Sequence, residues 1–112
     1  MEELVKGDIV VLPFPFTDLS ATKKRPALVI ANLEGDDLIV CQITGQVVHD
    51  SYVVELEDSD LVGGKLSGPS YIRPNKIFTA DKSIINYKVG TLNYLKMNKV
   101  EERIIWIIKG KH

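Results

Sequence analysis

Cysteine and histidine are nearly absent from this 112-residue chain. With one Cys, Cys41, and two His there is no internal disulfide and no Cys/His cluster for a structural metal. No apolar run approaches the roughly 20 residues that span a bilayer. Glu2 and Glu3 follow Met1 where a secretory leader would place basic and then apolar residues. The expectation is a cytoplasmic protein with no cofactor, no metal and no membrane partner. Neither charge sign is in excess, the formal net charge being −1. What remains is ordinary for a globular chain, 45% hydrophobic and 26% charged, which excludes disordered and fibrous classes. The length fits one domain over residues 1–112.

The near-zero charge conceals a division. Residues 1–60 hold 12 acids and 4 bases, and residues 61–112 hold 3 acids and 10 bases. A polyanionic partner is therefore compatible with the total. Within the acidic half the one tight basic group is Lys23-Lys24-Arg25.

Short β-rich runs separated by turn residues fill the first two thirds: Asp8 to Phe14, Ala27 to Ala31, Leu38 to Thr44, Tyr52 to Leu56, Ser70 to Ile72 and Ile77 to Thr79. Pro13 and Pro15 push the end of the first run toward a sheet edge or out of a ladder. Gly63-Gly64, Gly68-Pro69 and Pro74 read as punctuation. Leu92, Leu95, Val100, Ile104, Ile107 and Ile108 approximate a 3.6-residue period, which predicts a C-terminal helix that stops at Gly110. The fold class is mainly β (α+β), a small barrel or sandwich with one terminal helix.

A hairpin across Gly35 carries the most information. If its two strands pair antiparallel around that turn, opposed residue numbers sum to about 70, and Arg25 lies opposite residue 45, beside Thr44. Pro26 holds Arg25 in an extended backbone at the start of its strand. Alternation puts Gln42 and Thr44 on one face and Cys41 and Ile43 on the other. An Arg fork and a hydroxyl match the oxygens of a phosphate and would stabilise a pentavalent phosphorus, as metal-free RNA cleavage by a neighbouring 2′-OH requires. A solvated strand-end charge beside an ordinary β-forming Thr accounts for the same two residues, and both readings stand at this point.

Four segments in order carry a family resemblance. Gly7-Asp8-Ile9-Val10 with Lys24-Arg25-Pro26-Ala27-Leu28-Val29-Ile30 resembles the N-terminal motif of the MazF/PemK-like toxins of bacterial toxin–antitoxin pairs. Gln42-Ile43-Thr44-Gly45-Gln46, Ser70-Tyr71-Ile72-Arg73-Pro74-Asn75-Lys76-Ile77 and Val89-Gly90-Thr91-Leu92 resemble the later ones. The resemblance implies an SH3-like small β-barrel with a C-terminal helix, as in MazF and CcdB. It also implies a homodimer and a metal-independent endoribonuclease acting on single-stranded RNA, blocked by a cognate antitoxin. On it the catalytic Arg and Thr fall on Arg25 and Thr44. The acid that some members carry ahead of Arg-Pro is missing from Ser20-Ala21-Thr22-Lys23-Lys24, which leaves Asp18 as the nearest candidate for the general base.

The expected RNA contacts are Phe16, Lys23, Lys24, Gln46, Ser70, Arg73 and Lys76. Phe14 and Phe16 are the aromatics placed to stack bases, with core packing expected of at least one. His49 reads as surface and Cys41 as an inert core thiol; the helix is apolar around more than one stripe, which packing against the barrel is expected mostly to explain, with some of that surface left for a subunit or antitoxin contact anchored by Trp106. Two other functions fit the same fold: a CcdB-like toxin that binds DNA gyrase without cutting, and a repurposed RNA- or protein-binding module.

Overall fold

Runs of Val, Ile and Leu broken by Gly, Asp and Asn set most of the chain into strands. The computed structural model describes residues 3–14 and 23–110. Among them lie β1 (Asp8–Pro13), β2 (Lys24–Asn32), β3 (Asp37–Thr44), β4 (Val54–Leu56), β5 (Leu61–Gly64), β6 (Ser70–Asp81), β7 (Tyr87–Leu92) and α1 (Tyr94–Lys109). The strands make one curled antiparallel sheet in the order β4-β6-β3-β2-β1-β7-β5. The expected barrel is thus a half-barrel, with β4 and β5 at its two edges.

Alternating side chains on the central strands feed two cores. Val10, Leu12, Ala27, Val29, Leu38 and Val40 fill one, where Phe14 meets Phe78 edge-on with ring centroids 5.1 Å apart. Ile9, Leu28, Cys41, Ile43 and Ile72 face the other way and pack with Met97 and Val100 of α1. Each fully buried Leu or Ile contributes about 1.5–3 kcal/mol through the apolar area it removes from water. Burial pushes the Cys41 thiol up to about 12, as expected of an inert core residue. The helix starts where the Asn93 side chain accepts the Lys96 N–H at 2.8 Å and ends at left-handed Gly110 (φ 66°). No helix among the described residues is long and apolar enough to cross a membrane.

Several sequence expectations need correction. The first run leaves its ladder at Pro13, the last paired residue of β1, opposite Lys24, as its proline leads one to expect, although β1 itself is no edge strand and lies between β2 and β7. The segments Ser70–Ile72 and Ile77–Thr79 belong to one strand, β6, whose pairing with β3 skips from Arg73 to Ile77 so that Pro74 sits in an unpaired bulge. Tyr52 and Val53 stay outside β4 because their N–H groups donate to Asp50 Oδ1 at 2.9 and 3.0 Å. Gly63-Gly64 is not a break but part of β5, and residues 89–92 belong to β7. A Cβ on Gly64 would lie 2.1 Å from the Val89 carbonyl oxygen, and one on Gly90 would lie 2.2 Å from that of Gly63. Only glycines allow that approach. Packing also explains less of the helix than expected, since α1 leaves Leu95, Ile105 and Ile108 exposed.

Candidate functional site

The hairpin turns at Gly35, and near its tip opposed residues sum to 70 as expected, with Asn32 facing Leu38 and Ala31 facing Ile39. A bulge at Ile30 then moves the register by one, so that Val29 faces Val40 and Ala27 faces Gln42. Continued two residues further, this register sets Arg25 opposite Thr44 rather than residue 45. The shift matters because directly opposed residues of an antiparallel pair share a face, whereas an unbulged ladder would leave Thr44 on the face away from Arg25. Both neighbouring ladders agree. Arg25 faces Leu12, a residue of the core away from the helix, and Thr44 faces Tyr71 of β6.

Arg25 is half-buried, and its Nε is a buried donor with no hydrogen-bond partner among the described residues. Thr44 is buried, and its hydroxyl oxygen accepts the Gln46 N–H at 3.2 Å. That bond occupies one lone pair and leaves the hydroxyl proton to be donated. Next to this row on the same face, Gln42 lies opposite Arg73. Gln42 Oε1 and Arg73 Nε are likewise buried and unpartnered. Arg73 Nη2 lies 3.6 Å from Asp50 Oδ2. A preorganised set of cationic and hydroxyl donors on an otherwise apolar face suits an anionic, hydrogen-bonding ligand. Among the described residues no three His, Cys, Asp or Glu side chains converge to hold a metal ion.

The remaining expected site residues are dispersed around this cluster. Lys23 is exposed just before β2, and Gln46 is exposed two residues past Thr44. Lys24, one residue from Arg25, alternates to the other face, where it lines a cavity of about 380 Å³ with Ser70, Lys65 and Tyr87. Ser70 donates its hydroxyl to the Gly68 carbonyl at 3.1 Å. Lys76 stands in the β6 bulge, half-buried. Phe14 is a core residue, and Phe16 and Asp18 lie outside the described residues. His49 is exposed. Trp106 is half-buried, its ring 6.1 Å from Tyr52 and 5.3 Å from the Arg103 guanidinium. Sequence reasoning did not single out Asp50 as a partner of Arg73. The signal available was Asp50-Ser51-Tyr52, an Asx-turn pattern that aims a carboxylate back at its own backbone.

The solved structures it resembles share the whole fold. An endoribonuclease in complex with its cognate antitoxin, from a mycobacterial species, superposes with a TM-score of 0.76, at 17% identity over 96% of each chain. The toxin MazF-mt6 of Mycobacterium tuberculosis gives 0.68 at 20% identity, over 87% of this chain and 91% of its own. The MazE-MazF structure from Deinococcus radiodurans gives 0.73 at 18% identity, over 95% and 96%. No curated protein is significantly similar in sequence. The profile of the PemK-like, MazF-like toxins of type II toxin–antitoxin systems matches residues 5–108, and the chain belongs to that family.

Proposed function

We propose that this chain is the toxin of a type II pair and acts as a metal-independent, sequence-specific endoribonuclease on single-stranded RNA. It would work in the cytoplasm, as a homodimer, until a cognate antitoxin occupies it. Membership of the toxin family supports the reading, as do neighbours of the same fold named as endoribonucleases, one of them with its antitoxin. The observation that carries it is the β2–β3 register, which sets Ala27 against Gln42 and so, by alternation, leaves Arg25 and Thr44 on one face of the sheet, each with donor capacity unspent.

In this mechanism the RNA 2′-OH attacks the adjacent phosphorus, and the P–O5′ bond breaks. The products are a 2′,3′-cyclic phosphate and a 5′-hydroxyl. Charge accumulates on the non-bridging oxygens as phosphorus becomes pentavalent, and the Arg25 guanidinium and Thr44 hydroxyl donate to them there. Neither residue type is a base near neutral pH, so the proton of the 2′-OH leaves to another group, for which Asp18 is the candidate, and the departing O5′ takes a proton from water. Lys23, Gln46 and Lys76 would hold the strand around the reacting bond, Lys24 and Ser70 would meet RNA only where it passes to the other face of β2, and Phe16 would stack a base.

The test is incubation with a long defined RNA in EDTA, with cleaved ends mapped for wild type, Arg25→Ala and Thr44→Val. Discrete cuts by wild type, lost in both variants, are expected. Intact RNA with wild type, or cutting by both variants as fast as by wild type, sinks the mechanism.

A further inference from the structure

We infer that Gln42 and Arg73 form a nucleobase-reading subsite beside the Arg25–Thr44 pair, with Asp50 as the residue that positions Arg73. The inference rests on the RNA-cleavage reading for its biological setting, and it concerns base selection rather than bond breaking.

Gln42 and Arg73 are opposed on β3 and β6. They point to the same face as Thr44 and lie two residues along the strand from it, a distance of about 7 Å. Each keeps one buried polar atom with no partner among the described residues, an acceptor (Gln42 Oε1) and a donor (Arg73 Nε–H). Leaving such an atom unsatisfied costs on the order of 1–3 kcal/mol, so two in adjacent positions point to a ligand that supplies the complements. The third residue of the row, Ala27, is buried and offers no polar group that would compete.

The complement must carry a donor and an acceptor side by side. A phosphate accepts only and would set its charge against the glutamine oxygen. The Watson–Crick edge of any unpaired base carries both groups, and single-stranded RNA presents that edge. Arg73 is also poorly suited to act as a phosphate anchor, because Asp50 already lies 3.6 Å from its Nη2. Asp50 in turn is held by the N–H groups of Tyr52 and Val53, and its neighbour Ser51 accepts a hydrogen bond from Arg103 of α1 through its carbonyl. The helix thereby fixes the turn, the turn fixes the carboxylate, and the carboxylate fixes the fork. A fork held in one orientation discriminates by hydrogen-bond pattern; charge alone would not.

The experiment compares wild type, Gln42→Leu, Gln42→Met and Arg73→Met on a pool of randomised RNA, with sequencing of the cut ends. Binding to the same pool carrying 2′-O-methyl groups, which cannot cleave, is measured in parallel. The expected result is a fall of about tenfold in preference at one and the same nucleotide position in all three variants, with the other positions unchanged. Gln42→Met keeps the length of the side chain without its acceptor and serves if Gln42→Leu fails to fold. Asp50→Asn is expected to blunt the same position more weakly. If wild type binds selectively but cuts nothing, the cleavage reading fails, and the subsite is judged on binding alone. Unchanged selectivity in all variants overturns the inference. So does a loss confined to antitoxin affinity, which would mark the pair as a peptide site.

Discussion

Asp8 and Gln42 are both polar residues set among apolar neighbours in the same sheet, and their surroundings differ in kind. The Asp8 carboxylate, 1% exposed, accepts the Val5 N–H at 2.9 Å and the Thr91 hydroxyl at 3.0 Å, and pairs with Lys88 Nζ at 3.2 Å. Every one of those partners belongs to the chain, and the cluster ties β1 to β7. Around Gln42 the opposite holds. Three residues, Arg25, Gln42 and Arg73, each retain a buried atom that nothing in the described chain satisfies. A buried polar cluster that closes on itself stabilises the fold, and one left open on a single face is arranged for something that arrives later.

Substitutions should separate the two clusters cleanly. Arg25→Ala is expected to lower RNA cleavage by about 10²–10³ or more while leaving the urea midpoint nearly unchanged, read by single-turnover kinetics and denaturation on the same preparation. A loss of stability matching the loss of rate would erase the contrast. Asp8→Ala should do the reverse. It should cost about 2–4 kcal/mol in urea unfolding, since it strands the Thr91 hydroxyl, the Val5 N–H and the Lys88 cation, and leave the rate per folded molecule intact. Lys88→Met removes only a partly exposed partner and should cost about 1 kcal/mol in the same measurement.

The smallest effect belongs to Cys41. Its pKa is raised on folding, so the unfolded chain releases the thiol proton first, and the sign is a loss of stability as pH rises above the unfolded value. Between pH 6 and 8 Cys41 should contribute no pH dependence. By pH 10 wild type should lose about 1 kcal/mol relative to Cys41→Ala, seen as a drift in the difference between their urea midpoints. Rapid alkylation of native protein at pH 8 would contradict the buried assignment.

Much of this arrangement was legible in the chain. The Gly35 turn, the flanking apolar strands and the Arg25-Pro26 start gave the hairpin. The period from Leu92 to Ile108 gave the helix, and the four segments gave the family. What escaped was set by tertiary contacts that leave no mark on composition. Nothing about Ile30 announces a bulge, yet the bulge decides that Arg25 and Thr44 share a face. Gly63-Gly64 reads as punctuation because glycine disfavours strands, and only the approach of β7 at Gly90 explains a strand there. Pro74 seemed to end a strand that in fact continues past it through a bulge. The ion pair between Asp50 and Arg73 spans 23 residues of sequence and obeys no local spacing rule.

The bulge at Ile30 also gives the hairpin one residue of slack. A deletion of Ile30 itself would be absorbed, since Val29 would still meet Val40 and Ala27 would still meet Gln42, which keeps Arg25 on the face of Thr44. A second deletion in the same stretch would find nothing left to absorb it and would turn Arg25 toward the helix. Length variation in this strand therefore has a threshold: the first residue lost is silent, and the next reverses which side of the sheet carries the charge.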